Sequence, residues 1–249
     1  MKRLACAVLV LLAVSGLAVA GGQAEDDGVV LVATDATWPP MEFVNEDKEI
    51  VGYDIDLMRA IAEAAGFEVE FRNTAWDGIF AGLATGEYDA VISSVTITEE
   101  RMETMDFSDP YINAGQVLIV RQDQSGVDEL EDLVGQTVGA QIGTTGAFEI
   151  DKVEGVELAT YDEIGLAVAD LANGRISGVV VDTPTAASYV LQNDEYAGTL
   201  QIVGEPFTEE FYGIAVQKGN TELLAMINEG LAAVQEQGIP EELEDTWLR

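Results

Sequence analysis

The sequence predicts an α/β protein with largely parallel sheets. Short apolar runs of strand length alternate with longer segments whose apolar residues recur at helical spacing. Hydrophobic residues make up 48% of the 249, and 25 glycines are scattered along the chain, a composition that favours a folded core over disorder. A helix-glycine-strand unit also occurs twice. Leu83-Ala-Thr-Gly86-Glu-Tyr-Asp-Ala-Val91 has its counterpart in Leu171-Ala-Asn-Gly174-Arg-Ile-Ser-Gly-Val179. Ser93-Ser94 follows the first copy and Asp182 the second, which suggests two similar lobes with polar groups at the carboxyl ends of their strands. Ligands bind at such ends in open parallel sheets.

Each element has a local reason. Residues 29–34 (VVLVAT) read as a buried strand. A helix follows from about Asp54, with Leu57, Met58, Ile61, Ala62 and Ala65 on one face and Gly66 as its stop. Asp77 is placed to cap a second helix, carrying Ile79, Phe80, Leu83 and Ala84 and ending at Gly86. Residues 90–95 form the next strand. Then come a strand near 137–141, a helix near 163–173, a strand near 178–181 and a helix opening at Pro184, where proline suits a first turn. A last strand, 213–217, leads into a long helix from Thr221 to Gln237.

Composition excludes several chemistries. There is no histidine, so no Ser-His or Cys-His nucleophile and no His-bound metal. Cys6 is the only cysteine, which forbids an intrachain disulfide or a Cys-rich zinc site. With 11 basic and 46 acidic residues the net charge is −35, so nucleic acid and anionic membrane surfaces should be repelled. Asn45-Glu46-Asp47-Lys48-Glu49 lacks the spacing and glycine of a calcium loop. No metal or cofactor is expected. At the N-terminus, Lys2 and Arg3 precede an apolar run, 4–19, that ends in Ala18-Val19-Ala20. This is a secretory signal peptide pattern, with cleavage expected after Ala20. Cys6 precedes the apolar run, unlike a lipoprotein cysteine, so a lipid anchor is not expected. Loss of residues 1–20 removes two of the 11 basic residues and the only thiol.

The most specific stretch is Ser93-Ser94-Val-Thr96-Ile-Thr98-Glu-Glu-Arg101, followed by Asp106-Phe107-Ser108-Asp109-Pro110-Tyr111. A strand ends in hydroxyls and runs into a loop with an arginine. A guanidinium is a planar fork suited to holding a carboxylate through two bonds. A surface ion pair with one of the many acids, worth about 0–1 kcal/mol, is the plainer alternative. Asp182-Thr-Pro184 reads equally well as a helix N-cap.

SSVTITEERMETMDFSDPY, with GYDIDL upstream and QIGTTG and VVVDTPTA downstream, resembles the bacterial extracellular solute-binding proteins, family 3. These are receptors of ABC importers for polar amino acids, of the arginine, lysine/ornithine, histidine and glutamine type. The likeness runs from about Val29 to Trp247. It implies a type II periplasmic-binding-protein fold: two α/β lobes joined by two crossover hinge strands, with the ligand cleft between them. Lobe 1 would comprise about 25–112 and 213–249, lobe 2 about 116–207, and the hinges about 113–115 and 208–212. It further implies that Arg101 clamps the ligand α-carboxylate, helped by Thr96 and the Thr145 backbone N–H, with Thr144 in the same Gly143–Gly146 loop. Asp182 would hold the α-ammonium, sharing it with the Ser94 carbonyl and the Thr96 hydroxyl, beside Ser93. Asp35, Trp38, Trp76 and Gln141 fall at the positions that choose the side chain.

A buried Asp35 favours a guanidinium, ammonium or amide and disfavours an acid. Tryptophans flanking the ligand suit a flat guanidinium, with cation–π attraction of about 0.5–2 kcal/mol, although ordinary packing also explains a tryptophan. The expected ligand is therefore a free L-amino acid, arginine first, then lysine or ornithine, with glutamine as competitor. The expected partners are a membrane permease and its ATPase, served by a monomeric periplasmic receptor whose acidic surface is solvated and salt-adapted. The alternative of another class is a cyclohexadienyl or arogenate dehydratase-like enzyme on the same fold, which would need a general acid beside its substrate.

Overall fold

A computed structural model describes residues 28–249. The signal-peptide expectation for residues 1–20 lies outside the described residues, as does the start of lobe 1 before Gly28. The described chain forms two five-stranded sheets with helices packed on them. The first sheet has the spatial order Glu68–Asn73, Val29–Thr34, Ala90–Val91, Ala215–Gln217, Met105–Phe107. The second runs Glu157–Tyr161, Thr137–Gln141, Gly178–Asp182, Gln116–Arg121, Leu200–Val203. In each, the first three strands pair in parallel and the fourth runs against both neighbours. Four of five strands therefore point one way, which meets the expectation of largely parallel sheets.

That fourth strand is the first one the chain forms after changing lobes. The chain leaves the first sheet, passes through Ile112–Asn113 and enters the second as Gln116–Arg121. It returns through Phe211–Tyr212 and re-enters as Ala215–Gln217. The two crossing strands pair with each other, Phe211 opposite Asn113 and Tyr212 opposite Ile112. A side chain at Gly115 would run into the Thr208 carbonyl, so glycine permits the two crossings to lie this close.

The internal repeat has a structural meaning. Trp76–Thr85 and Ile164–Ala172 are the helices of its two copies, and Gly86 and Gly174, with φ of 76° and 71°, end them. The strands that follow occupy the third place in their sheets and pair in parallel with the second: Ala90 with Val32, Gly178 with Val138. Ser94 and Asp182 stand at equivalent carboxyl ends.

Other expectations need correcting. Asp77 does not cap a regular helix. It is itself extended (φ −66°, ψ 106°) and Gly78 is at φ 102°, so the chain kinks before the regular turns begin. The strand expected over 90–95 ends at Val91, because Ser94 turns through positive φ (50°) while its N–H donates to Asp54 Oδ2 at 2.7 Å. The final strand begins at Ala215 rather than 213, and its predecessor 211–212 belongs to the crossing pair. Ile239–Trp247, an acidic helix opening on a proline, is an addition. Its Trp247 packs edge-on to Phe43 at 5.9 Å and donates to Asp56 Oδ2 at 3.1 Å.

The Tyr53–Ala65 helix buries Leu57, Met58 and Ile61, and the Thr221–Gln237 helix buries Leu223, Ile227, Leu231 and Val234 in the same cluster. Asn220 accepts from Leu223 N to start the long helix, and Gly238 in the left-handed region ends it. Close approach of the two helices depends on Gly230, where a Cβ would lie 2.5 Å from the Ile61 carbonyl oxygen. Helix propensity alone would make Gly230→Ala stabilising by about 1 kcal/mol. Overpacking against backbone should outweigh it, giving a net loss of about 1–2 kcal/mol in denaturant unfolding. A variant as stable as the parent would show that the helices can separate freely.

Candidate functional site

The carboxyl ends of both sheets face a common cavity. Asp35 follows the Val29–Thr34 strand, Ser93 and Ser94 follow Ala90–Val91, and Gln141 and Asp182 end their own strands. Trp38 ends the short strand Thr37–Trp38, just before a cis Pro39-Pro40 peptide, and Trp76 opens its helix. Thr144 caps the Thr145–Asp151 helix by accepting from Ala147 N. Asp35, Trp38, Trp76, Ser93, Ser94, Thr96, Arg101, Gln141, Thr144, Thr145 and Asp182 all line the cavity, so the structure brings together every residue singled out from the sequence. Glu42 lines it as well.

Arg101 is buried, and its guanidinium donates to two backbone carbonyls, Thr96 O at 2.8 Å and Gly143 O at 3.3 Å. One is supplied from each side of the cleft. Its carbon sits 5.4 Å from the Trp76 ring centroid and 5.2 Å from that of Phe80. Among the described residues no ion pair includes Arg101. The surface-ion-pair alternative is thereby removed. Burial lowers the guanidinium to about 10, against the opposing pull of Asp182, Glu210 and Glu100, which leaves it charged at neutral pH. A guanidinium has five N–H donors, and two carbonyl bonds do not exhaust them.

Asp182 does not act as a helix cap, since its side chain makes no cap bond. Instead Oδ1 accepts from Gln116 Nε2 at 3.0 Å. Burial, then the neighbouring Glu210 charge, pushes its carboxyl up to about 7. Asp35 is held by Thr37 Oγ1 at 2.9 Å and by Gln141 Nε2 at 2.8 Å, the latter a bond across the cleft. Its backbone N–H donates to Ser93 Oγ at 2.9 Å. Burial raises its carboxyl, and the bonds from Gln141 and Thr37 resist the shift. The Trp38 indole N–H is buried without a protein partner, a donor available to a ligand in the cavity that Trp38 lines.

Sequence reasoning missed Glu42 and Glu210. Ser93 Oγ and Ser94 Oγ donate to the two oxygens of fully buried Glu42, at 3.0 and 3.3 Å. Asp54, also fully buried, accepts from Ser94 N and from Tyr111 OH at 2.8 Å. Burial raises Glu42 well above the usual range, and the nearby Asp54 charge adds to it; burial pushes Asp54 up to about 6. Neither glutamate stands out in so acidic a chain. The apolar setting of MEFV could have pointed to Glu42 and the GYDIDL motif to Asp54, while no local signal marks Glu210.

Residues 30–249 match the family described as bacterial extracellular solute-binding proteins, family 3. The chain belongs to that family. It is 37% identical over 242 residues to the "Probable histidine-binding protein" of Neisseria gonorrhoeae, covering 94% of this chain and 89% of that one. Among solved structures, an ancestral arginine-binding protein bound to arginine superposes with TM-score 0.85 at 42% identity, covering 89% and 99% of the two chains. An ancestral arginine-binding protein bound to glutamine gives 0.84 at 43%, covering 88% and 97%. Such relatives are named as amino-acid-binding proteins, not as enzymes.

The raised carboxyls make ligand-free stability depend on pH. Unfolded Asp titrates near 4, while folded Asp54 and Asp182 titrate at about 6 and about 7. The folded state therefore holds the extra protons, and the stability they confer, complete below about pH 4, is lost as pH rises through 7. The melting temperature of ligand-free protein should fall from pH 5 to pH 8, and Asp182→Asn should flatten that fall. A profile rising over this range would contradict the assignment.

Proposed function

We propose that this protein is the substrate-binding component of an ABC amino-acid importer, taking a cationic L-amino acid into its interlobe cleft. The observation that carries the reading is Arg101: a buried guanidinium on backbone carbonyls, without a carboxylate partner, at a cavity also lined by Asp182. A ligand carboxylate on Arg101 supplies the missing anion. The α-ammonium falls to Asp182, with the Thr96 hydroxyl and the Ser94 carbonyl, and the Thr145 N–H assists the carboxylate. Asp35, Trp38 and Gln141 remain to meet the side chain. Trp76 serves as wall and as cover for Arg101.

Cavity acids outnumber the one cavity arginine, which favours a ligand carrying two positive groups. Arginine is the first choice, then lysine or ornithine. Glutamine has its own support, because the Gln141 amide already donates to Asp35 and shows that an amide suits that oxygen. Residues 25–112 with 213–249 and residues 116–207 are read as lobes that close about the crossings near 113–115 and 208–212. The closed monomer would then be recognised by a permease powered by its ATPase, after export through a signal peptide cleaved near Ala20.

Calorimetry of refolded, ligand-stripped protein against the twenty amino acids and ornithine tests the reading. Arginine should bind with micromolar affinity or better, and Arg101→Ala should cost about 2–5 kcal/mol of binding free energy. Asp35→Ala should weaken a cationic ligand more than an apolar one. Binding of no amino acid, or turnover of prephenate or arogenate, would overturn it.

A further inference from the structure

Glu210 lies on the returning crossing, just before Phe211–Tyr212, and its side chain is buried. Among the described residues it makes no ion pair. Its closest partners are three hydroxyls, and the Gln116 amide donates to Oε2 from 3.5 Å. Oε1 accepts from Thr208 at 2.8 Å, while Oε2 accepts from Thr96 at 2.9 Å and from Thr145 at 2.7 Å. Both Thr96 and Thr145 line the cavity, one following the first sheet's third strand and the other opening a helix of the second lobe. Gln116 Nε2 extends the chain of bonds by donating to Thr145 Oγ1 at 3.1 Å and to Asp182 Oδ1 at 3.0 Å.

An ionised carboxylate only accepts, and a hydroxyl has a single proton to give. With those protons committed to Glu210, the threonines offer lone pairs to whatever occupies the cavity. We infer that Glu210 is a positioning residue that sets the polarity of the subsite for the ligand's α-ammonium, making Thr96 and Thr145 acceptors alongside Asp182. This rests on the reading that an amino-acid zwitterion lies between Arg101 and Asp182. Glu210 does not line the cavity; it acts through the hydroxyls. A neutral amide in its place can donate to those oxygens and release their protons toward the ligand, where they would oppose an ammonium. A ligand without the α-amino group has nothing there to lose.

The experiment compares binding of the preferred amino acid with binding of its α-deamino analogue, by calorimetry, in the wild type, Glu210→Gln, Thr96→Val and the double variant. Glu210→Gln should weaken the amino acid at least tenfold and the analogue by less than about twofold. The double variant should lose no more than the larger single loss, because both changes remove the same acceptor. Equal losses for the two ligands, no loss at all, or additive losses in the double variant would overturn the inference. If Glu210→Gln does not fold, Thr96→Val faces the same comparison of ligands: a selective loss supports the acceptor role and an equal loss ends it. A wild type that binds no amino acid would instead overturn the functional reading beneath.

Discussion

A positive charge is buried where the two sheets meet, and among the described residues no carboxylate pairs with it. Desolvating a guanidinium is costly, and carbonyl bonds with aromatic faces offset only part of that cost. Arg101 is held from both sides, by Thr96 O and Gly143 O, with the Trp76 and Phe80 rings 5.4 and 5.2 Å from its guanidinium carbon. The arrangement fixes the fork in place and leaves donors unused. On the proposed reading the cleft is prepared for an anion before one arrives, and rigid placement lowers the cost of ordering on binding.

Acids gather around this charge without pairing to it. Asp182, Asp35 and Glu42 line the same cavity, and burial raises the carboxyl of each. Each is held by amides or hydroxyls instead of cations: Gln116 on Asp182, Thr37 and Gln141 on Asp35, Ser93 and Ser94 on Glu42. Neutral donors keep these buried carboxyl groups in position without the ion pair that a protein arginine or lysine would form. Arg101 and these carboxyl groups thus line one cavity.

The topology explains why these groups converge. In both sheets the third strand follows a helix ended by glycine, and its carboxyl end delivers the polar residue, Ser94 in one and Asp182 in the other. The antiparallel fourth strand, entered straight from a crossing, brings Gln116 to Asp182, while the crossing itself carries Glu210 to Thr96 and Thr145. Connections between the lobes are therefore part of the site's wiring as well as its scaffold.

Local chemistry by itself determined much of this. Helix stops at Gly66, Gly86 and Gly238 follow from the freedom of glycine at positive φ, and the span of the long helix follows from its apolar spacing and Asn220 cap. The eleven cavity residues were legible because a family motif preserves strand ends in order along the chain. What only the tertiary structure decided was which acids are buried. Among 46 acidic residues, nothing local separates Glu210 from a solvated surface. Burial depends on residues far apart in sequence, such as Thr96 and Thr145 converging on one Glu210 oxygen. The same holds for the short strand at 90–91 and the fourth-strand insertions. Pairing across distant segments sets them, and no hydrophobic period records it.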